Sequence, residues 1–276
     1  TSQSGEDGIL RRIFDLISGD DRWCCEFGAW DGKKHSNTYQ FISNENWSGV
    51  FIEVDPKKCA GLRKTYCDNK KVVLINKLVT YEGEDILDNI LSDTTIPKDF
   101  DLLSIDIDGN DYHVWAAVNH YKPKVVIRGG GQSIPNHVEF VQQANPKTNH
   151  GSSLLSITKL AKSKGYELVA VTDLNAIFVR FDYYYLFNLT DNSVNAMRPY
   201  SPYVTDIFQL YDGTVVLSGH KKMIWHDVPM DSHKFQVVPR CLRTFPGVMG
   251  KFQLFLLRIW RFFSDCYRFG LFKNHL

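Results

Sequence analysis

The sequence predicts an α/β protein with a doubly wound, mostly parallel seven-stranded sheet, followed by an aromatic and basic extension. Three observations predict it. Short, near-continuous apolar runs alternate with helix-length amphipathic segments from residue 6 to residue 165, the pattern of strands buried on both faces of a parallel sheet. The first run leads into a glycine-bearing turn, Glu26-Phe27-Gly28-Ala29-Trp30-Asp31-Gly32, and the second ends in an acid, Glu53, one helix-length later. Two final runs, Tyr166–Val171 and Ala176–Arg180, are turned by Asp173-Leu174-Asn175 and read as an antiparallel pair.

In order along the chain, residues 6–18 have helical spacing, with Ile9, Leu10, Ile13, Phe14 and Ile17 on one face. Strand one is 23–29, and 35–46 is the first crossover helix. Strand two is 49–54. Residues 56–67 follow as a helix with Pro56 in its first turn, where a missing N–H costs nothing. Strand three is Val72–Ile75, the next helix 83–91, and strand four 101–107. A helix with Val114, Trp115 and Val118 leads to strand five, Lys124–Ile127. Ser152 or Ser153 caps a helix that ends near Gly165. Beyond residue 181 the character changes. Tyr183-Tyr184-Tyr185, Tyr200 and Tyr203 lie in a polar stretch, and 204–228 suggests a hairpin turning at Asp212-Gly213. Residues 251–268 then read as a helix with Phe252, Phe255, Leu256, Ile259, Trp260 and Phe263 against Lys251, Arg258, Arg261 and Arg268. Two readings stay open for it: packing on the domain or a partner, or peripheral contact with a membrane surface. The expected organisation is a domain over 1–181 and a C-terminal extension over 182–276.

An apolar fraction of 43% is enough for a sizeable core. The 32 basic and 31 acidic side chains leave a net charge of +1, which gives no reason to expect nucleic acid as a partner. Cys24, Cys25, Cys59, Cys67, Cys241 and Cys266 include no C-x-x-C pair, so a structural zinc site is not expected. Adjacent Cys24 and Cys25 read as small buried hydrophobes on opposite faces of a central strand. No segment reads as a signal peptide or a membrane span, which favours a cytoplasmic setting. The chain opens on Thr1 and not on Met, which leaves open a trimmed chain, a fragment or one module of a longer protein.

Ligands of open α/β sheets sit at the carboxyl ends of the strands. Glu26–Gly32, Glu53–Asp55, Val79–Glu82 and Asp106–Asp111 converge there. Gly28 and Gly32 lack a Cβ, so a ligand can lie against their backbone. Glu53 stands where an acid can take both hydroxyls of a ribose. The turn lacks G-x-G-x-x-G, which disfavours a pyrophosphate and hence NAD. A nucleoside without phosphates fits better, and S-adenosylmethionine is the obvious one.

Three further segments add to this: Ser2-Gln3-Ser4-Gly5-Glu6-Asp7-Gly8, Ser104-Ile105-Asp106-Ile107-Asp108-Gly109-Asn110-Asp111, and Asn175–Val179. With the Glu26–Gly32 turn and Glu53 they resemble the FkbM-like family of S-adenosylmethionine-dependent methyltransferases over roughly residues 1–181. The resemblance implies a Rossmann-like fold of the class I methyltransferase type, closed by the final hairpin. It implies O-methylation of a sugar or glycan hydroxyl, or of a secondary metabolite.

The expected cofactor residues are Glu26, Gly28, Ala29, Asp31, Gly32, Asn37, Glu53 and Asp106, and the expected catalytic pair is Asp106 and Asp108. Plainer roles compete with several of these. Glu26 can bind loop N–H groups, Glu53 or Asn37 can cap a helix, Asp31 can build a turn, and Asp108–Asp111 can do both. In a strand, Asp106 and Asp108 share one face. So placed they can bind Mg²⁺, or one can act as base while the other orients it. His113, His137 and His150 are the other candidate bases. An EF-hand loop is excluded, because Asp111 occupies the required glycine position and no glutamate closes the loop.

One departure stands out. After strand five the family shows an acid and an asparagine, whereas here the segment is Ile127-Arg128-Gly129-Gly130-Gly131-Gln132. Arg128 suggests an anionic acceptor such as a uronate or phosphate. It equally suggests a different function, a glycan-binding or scaffolding module that has lost turnover.

Overall fold

Each apolar run becomes a strand: β1 Trp23–Phe27, β2 Ser48–Ile52, β3 Val72–Ile75, β4 Leu102–Ile105, β5 Val125–Gly129, β6 Tyr166–Val171 and β7 Asn175–Arg180. In the computed structural model, which describes residues 2–18 and 21–268 with side chains to residue 264, they form one sheet in the order β3-β2-β1-β4-β5-β7-β6. Strands β1 to β5 pair parallel. Strand β7 runs antiparallel between β5 and β6. The expected mostly parallel sheet with a closing hairpin is what forms.

The helices divide between the two faces. On one face α1 (Glu6–Ile17), α2 (Tyr39–Glu45) and α3 (Pro56–Thr65) bury Leu10, Ile13, Phe41, Ile42 and Leu62. On the other, α4 (Leu87–Ser92), α5 (Asp111–Ala117) and α6 (Leu154–Ser163) bury Leu87, Leu91, Trp115, Ile157 and Ala161. Period-two alternation sends Cys24 into the first cluster and its neighbour Cys25 into the second. Both are free thiols, as expected of small core residues.

The caps follow the local signals. Asp55 Oδ1 accepts from Lys57 N ahead of Pro56. Ser153, not Ser152, caps α6 by accepting from Ser156 N. Gly165 leaves α6 with a φ of 81°. At the amino end of the sheet Lys124 Nζ lies 3.0 Å from Asp101 Oδ1, with both side chains buried. Asp101 Oδ2 also accepts from Trp23 N. This ion pair ties the starts of β1, β4 and β5 together.

Several elements are shorter than the periodicity predicts. β1 stops at Phe27 rather than 29, and β4 at Ile105 rather than 107, because both chains peel away into turns at the ligand edge. Helix α2 begins at Tyr39 rather than 35, because Ser36–Thr38 is committed to Glu26. Helix α4 begins at Leu87 rather than 83, because Thr80 N bonds Asp85 O and holds that stretch as a loop.

The chain divides into two compact units, Thr1–Ser201 and Pro202–Leu276. Residues 182–201 thus belong with the sheet. Tyr183, Tyr184, Leu186 and Phe187 pack on its first cluster, and Arg198 donates to Gly131 O and Ile134 O of the loop after β5. In the second unit β8 (Thr205–Gln209) and β9 (Val215–Gly219) form the expected hairpin, where Thr214 N bonds Asp212 Oδ1. A helix over Lys251–Arg268 follows. No helix among the described residues is long and apolar enough to cross a membrane.

Candidate active site

The carboxyl ends of β1, β2, β4 and β5 meet at one edge of the sheet. Glu26, in β1, is buried there, and its carboxylate is fully engaged. Oε2 accepts from Ser36 Oγ at 2.6 Å and Thr38 Oγ1 at 2.7 Å. Oε1 accepts from Asn37 N at 3.0 Å and Ser104 Oγ at 3.2 Å. Burial raises its pKa and these four donors lower it. With two donors on each oxygen, no lone pair remains for a ligand. Glu26 therefore anchors the 36–38 segment to β4, through three hydroxyls and only one of the loop N–H groups expected. Asn37 is spent likewise: its Nδ2 donates to Ser104 Oγ, and Ser36 Oγ, not Asn37, accepts from the Tyr39 N of α2. Ala29 is buried against the first apolar cluster.

The two glycines of the turn are needed by the protein itself. Both have positive φ, 74° at Gly28 and 69° at Gly32. A Cβ on Gly28 would lie 1.8 Å from Asp106 O, and one on Gly32 would lie 2.6 Å from Leu62 Cδ2 and Tyr66 Cε2. Gly28 nonetheless keeps an exposed face at the edge of the sheet. Asp31 is a turn former, accepting from Lys33 N and Lys34 N. It also lines a cavity of about 550 Å³ with Ser2, Gln3, Lys33, Lys34, His35 and Leu174. The N-terminal segment is held there through buried Glu6, whose Oε1 accepts from Thr172 Oγ1 and Asn175 Nδ2 and whose Oε2 accepts from Ser4 N. That accounts physically for Glu6 within the opening motif, a role its sequence context did not show.

Glu53 leaves β2 buried, with one backbone donor on each oxygen: Trp30 N on Oε2 and Asp55 N on Oε1, both at 2.9 Å. Each oxygen retains acceptor capacity, which is what two vicinal hydroxyls require. Beside it Trp30 is 47% exposed, and Lys58 Nζ lies 4.6 Å from its ring centroid.

The acidic cluster resolves into different roles. Asp111 is buried and builds the turn, accepting from Ile107 N and Gly109 N at 3.0 Å. Asp106 and Asp108 lie beyond the end of β4, and Asp108 has a φ of 52°, so strand alternation does not place them on one face. Asp106 Oδ1 lies against β5, 2.9 Å from where a Cβ of Gly129 would stand. Asp108 is exposed, and nearby Lys58 offsets part of the rise in its pKa caused by burial and by Asp111. Among the described residues neither carboxyl has a hydrogen-bond partner. Asp106 keeps an open face to solvent, yet the protein packed around it pushes its pKa up to about 7, helped by Asp111, Asp108 and Glu26 and opposed by Arg128. The open face limits that push.

Arg128 is 2% exposed, with Nη2 3.8 Å from Asp111 Oδ2 and Nη1 3.4 Å from both Gly130 O and Ser152 O. Its Nε and Nη2 have no hydrogen-bond partner among the described residues. The carboxylates around it already have this guanidinium as counter-charge, and Asp111 is committed to the backbone. The donor set therefore does not suit Mg²⁺, which needs near-octahedral oxygen coordination. Among the described residues no group of three or more His, Cys, Asp or Glu side chains is arranged to hold a metal ion.

The candidate histidines belong to α5 and the loop after β5. His113 Nε2 is 2.8 Å from Gln142 O, and His137 and His150 are exposed on the loop after β5. Buried Gln142 organises that loop. Its Oε1 accepts from His150 N and Gly151 N, and its Nε2 donates to Asn110 Oδ1 and Thr148 O. No sequence pattern singled it out.

The strand order, with an antiparallel strand between β5 and β6, defines the Rossmann-like fold of the class I methyltransferase type. No family model matches the chain, and neither does any curated protein. Among solved structures the chain is similar to the CMeT domain of the citrinin polyketide synthase, at 12% identity and a TM-score of 0.40 over 63% of this chain and 52% of that one. The match thus spans about half the length of that protein. A SAM dependent methyltransferase from Aquifex aeolicus gives 10% identity and a TM-score of 0.41 over 63% and 88% of the two chains. The N-terminal domain of EvdMO1, solved with SAH and D-fucose, gives 9% and 0.42 over 65% and 84%. At such identities and scores these likenesses describe the general frame, and the fold class rests on the strand order itself.

Proposed function

We propose that the chain is an S-adenosylmethionine-dependent O-methyltransferase of the FkbM-like kind, acting on a hydroxyl of a sugar, glycan or secondary metabolite. One observation carries the reading. At the ligand edge of a methyltransferase-type sheet, Asp106 presents a carboxyl with no hydrogen bond from the described residues and an open face, and the protein packed around it raises its pKa from the ordinary carboxylate range. A general base is most effective with its pKa near the working pH.

When bound, S-adenosylmethionine supplies an electrophilic methyl on a sulfonium that carries its own leaving group. Glu53 holds the ribose hydroxyls with the acceptor capacity left on each oxygen. The backbone of Gly28 borders the path between Glu53 and Asp106. Asp106 takes the proton of the attacking hydroxyl. Asp108 raises the basicity of Asp106 by charge rather than by contact. Arg128 and Asp111 fix the charge balance behind it.

A second reading, a glycan-binding module without turnover, is favoured by Arg128, which stands where the resembling family has an acid. Calorimetry with S-adenosylhomocysteine and NAD, together with transfer of labelled methyl to a panel of neutral and uronate sugars, separates the two. Cofactor binding with transfer that Asp106→Asn abolishes supports the enzyme. Sugar binding without any S-adenosylhomocysteine binding overturns it. Within the enzyme reading, Glu53→Ala should weaken S-adenosylhomocysteine by roughly 10- to 100-fold, the scale of losing about 1.5–3 kcal/mol of charge-assisted hydrogen bonding. Unchanged affinity removes the ribose role.

A further inference from the structure

The second unit has a surface that the proposed chemistry does not use. The helix over Lys251–Arg268 has two apolar sides. One is taken up within the unit: Leu254 and Leu257 are half-buried, and Leu257 lines a cavity with Leu210, Val238, Leu242 and Met249. The other faces outward. At about 100° per residue, Phe252, Phe255, Ile259, Phe262 and Phe263 fall within one arc of roughly 100°. Phe252 is 72% exposed, Phe255 58% and Phe262 65%. Single exposed apolar residues are ordinary, but a continuous aromatic stripe marks an interaction surface.

The charge around the stripe indicates what covers it. Lys251 and Arg258 border it and are exposed, and the helix carries four Lys or Arg against one acid, Asp265, which falls near its end on the Arg258 flank. The imbalance extends to the whole segment. Residues 202–276 hold ten Lys or Arg against five Asp or Glu, a net +5, whereas residues 1–201 hold 22 against 26, a net −4. An aromatic stripe edged by lysine and arginine, on a helix that cannot span, matches the interface of an anionic bilayer. There the rings enter the acyl boundary while the cations stay among the headgroups. A protein partner would need an acidic rim around an apolar groove to match the same pattern.

We propose that this helix docks the chain on an anionic lipid surface through Phe252, Phe255, Ile259, Phe262 and Phe263, with Lys251 and Arg258 on the headgroups. The docking is independent of the methyltransferase reading, because it uses no residue of that site.

The test is co-sedimentation of the full chain with phosphatidylcholine vesicles that contain about one-third phosphatidylserine, compared with phosphatidylcholine alone. The parent should pellet with the anionic vesicles and bind the neutral ones about tenfold or more weakly, with high salt reducing the difference. Phe255→Ser with Phe262→Ser should lose most of the binding, and Arg258→Glu alone should lose several-fold. Both variants should keep the parent circular dichroism, since the altered side chains point outward. Three results would overturn the proposal: parent protein left in the supernatant with anionic vesicles, binding unchanged in both variants, or a dimer in light scattering that the phenylalanine variant converts to monomer. The last would mean that a second copy covers the stripe.

Discussion

At the scale of single residues, the site separates carboxylates that hold structure from carboxylates that are free to act. Glu26 has two donors on each oxygen and Asp111 is tied to two backbone N–H groups, whereas Asp106 has no donor among the described residues. Asp106→Asn should therefore abolish methyl transfer while leaving the fold intact. Its effect on stability follows from linkage. A carboxyl whose pKa rises from 3.8 in the unfolded chain to about 7 in the folded one binds more protons when folded between those values. Its contribution is fully present below the lower pKa and is lost as pH rises through the upper one. Asp106→Asn should thus match the parent's thermal midpoint near pH 4 and exceed it by a few degrees at pH 8. Equal midpoints at both pH values would show that Asp106 titrates normally. Glu26→Ala should behave in the opposite way. It strands the Ser36, Thr38 and Ser104 hydroxyls and the Asn37 N–H in a buried place, and should cost about 2–4 kcal/mol in urea denaturation.

At the scale of elements, the turn after β1 and the start of β5 are the parts least tolerant of change. Gly28→Ala meets both a positive φ and the carbonyl of Asp106 at 1.8 Å. Gly83→Ala meets a φ of 81° with no atom within 4 Å. The control should lose about 1 kcal/mol or somewhat more from backbone strain alone. Gly28→Ala should lose clearly more and weaken S-adenosylhomocysteine as well, because the Asp106 backbone has to move. Comparable losses in the two would mean that the turn is free to shift away from β4. At the other end of the sheet, Lys124→Ala leaves Asp101 buried without its counter-charge and should cost about 3–5 kcal/mol. Lys124→Met with Asp101→Asn should recover much of that, since the uncompensated charge is then gone.

At the scale of the whole molecule, the proposed cofactor chemistry and the proposed surface binding use residues of different units. Every residue assigned to the proposed site lies before Asn175, within the unit that ends at Ser201. A chain ending at Ser201 should fold cooperatively and bind S-adenosylhomocysteine within a few-fold of the full chain, while losing all association with anionic vesicles. A chain ending at residue 181 should be much less stable, because it lacks Leu186, Phe187 and Val194 from the two apolar clusters and the Arg198 bonds to the loop after β5. Thermal melts of the two truncated chains, with and without ligand, check both expectations.

The order of strands and helices and the faces they bury were legible in the sequence, though several of their ends were not. That order and those faces depend on apolar spacing within a few residues, which is why Cys24 and Cys25 could be assigned to opposite sides before any coordinates. The sequence also determined that Glu53 ends the second strand beside a glycine turn. Which candidate side chains are bonded within the protein depends on contacts between distant segments. Glu26 and Ser104 are 78 positions apart and meet because β1 pairs with β4. The same pairing presses the Asp106 carbonyl against Gly28. Asp106 and Asp108 look like one alternating pair in the sequence, yet β4 ends before them and Asp108 has a left-handed φ, so strand alternation does not govern them. A lone pair's occupancy depends on groups that the fold brings in from distant segments. No local pattern records them, so the sequence could name the carboxylates but not which of them remains free.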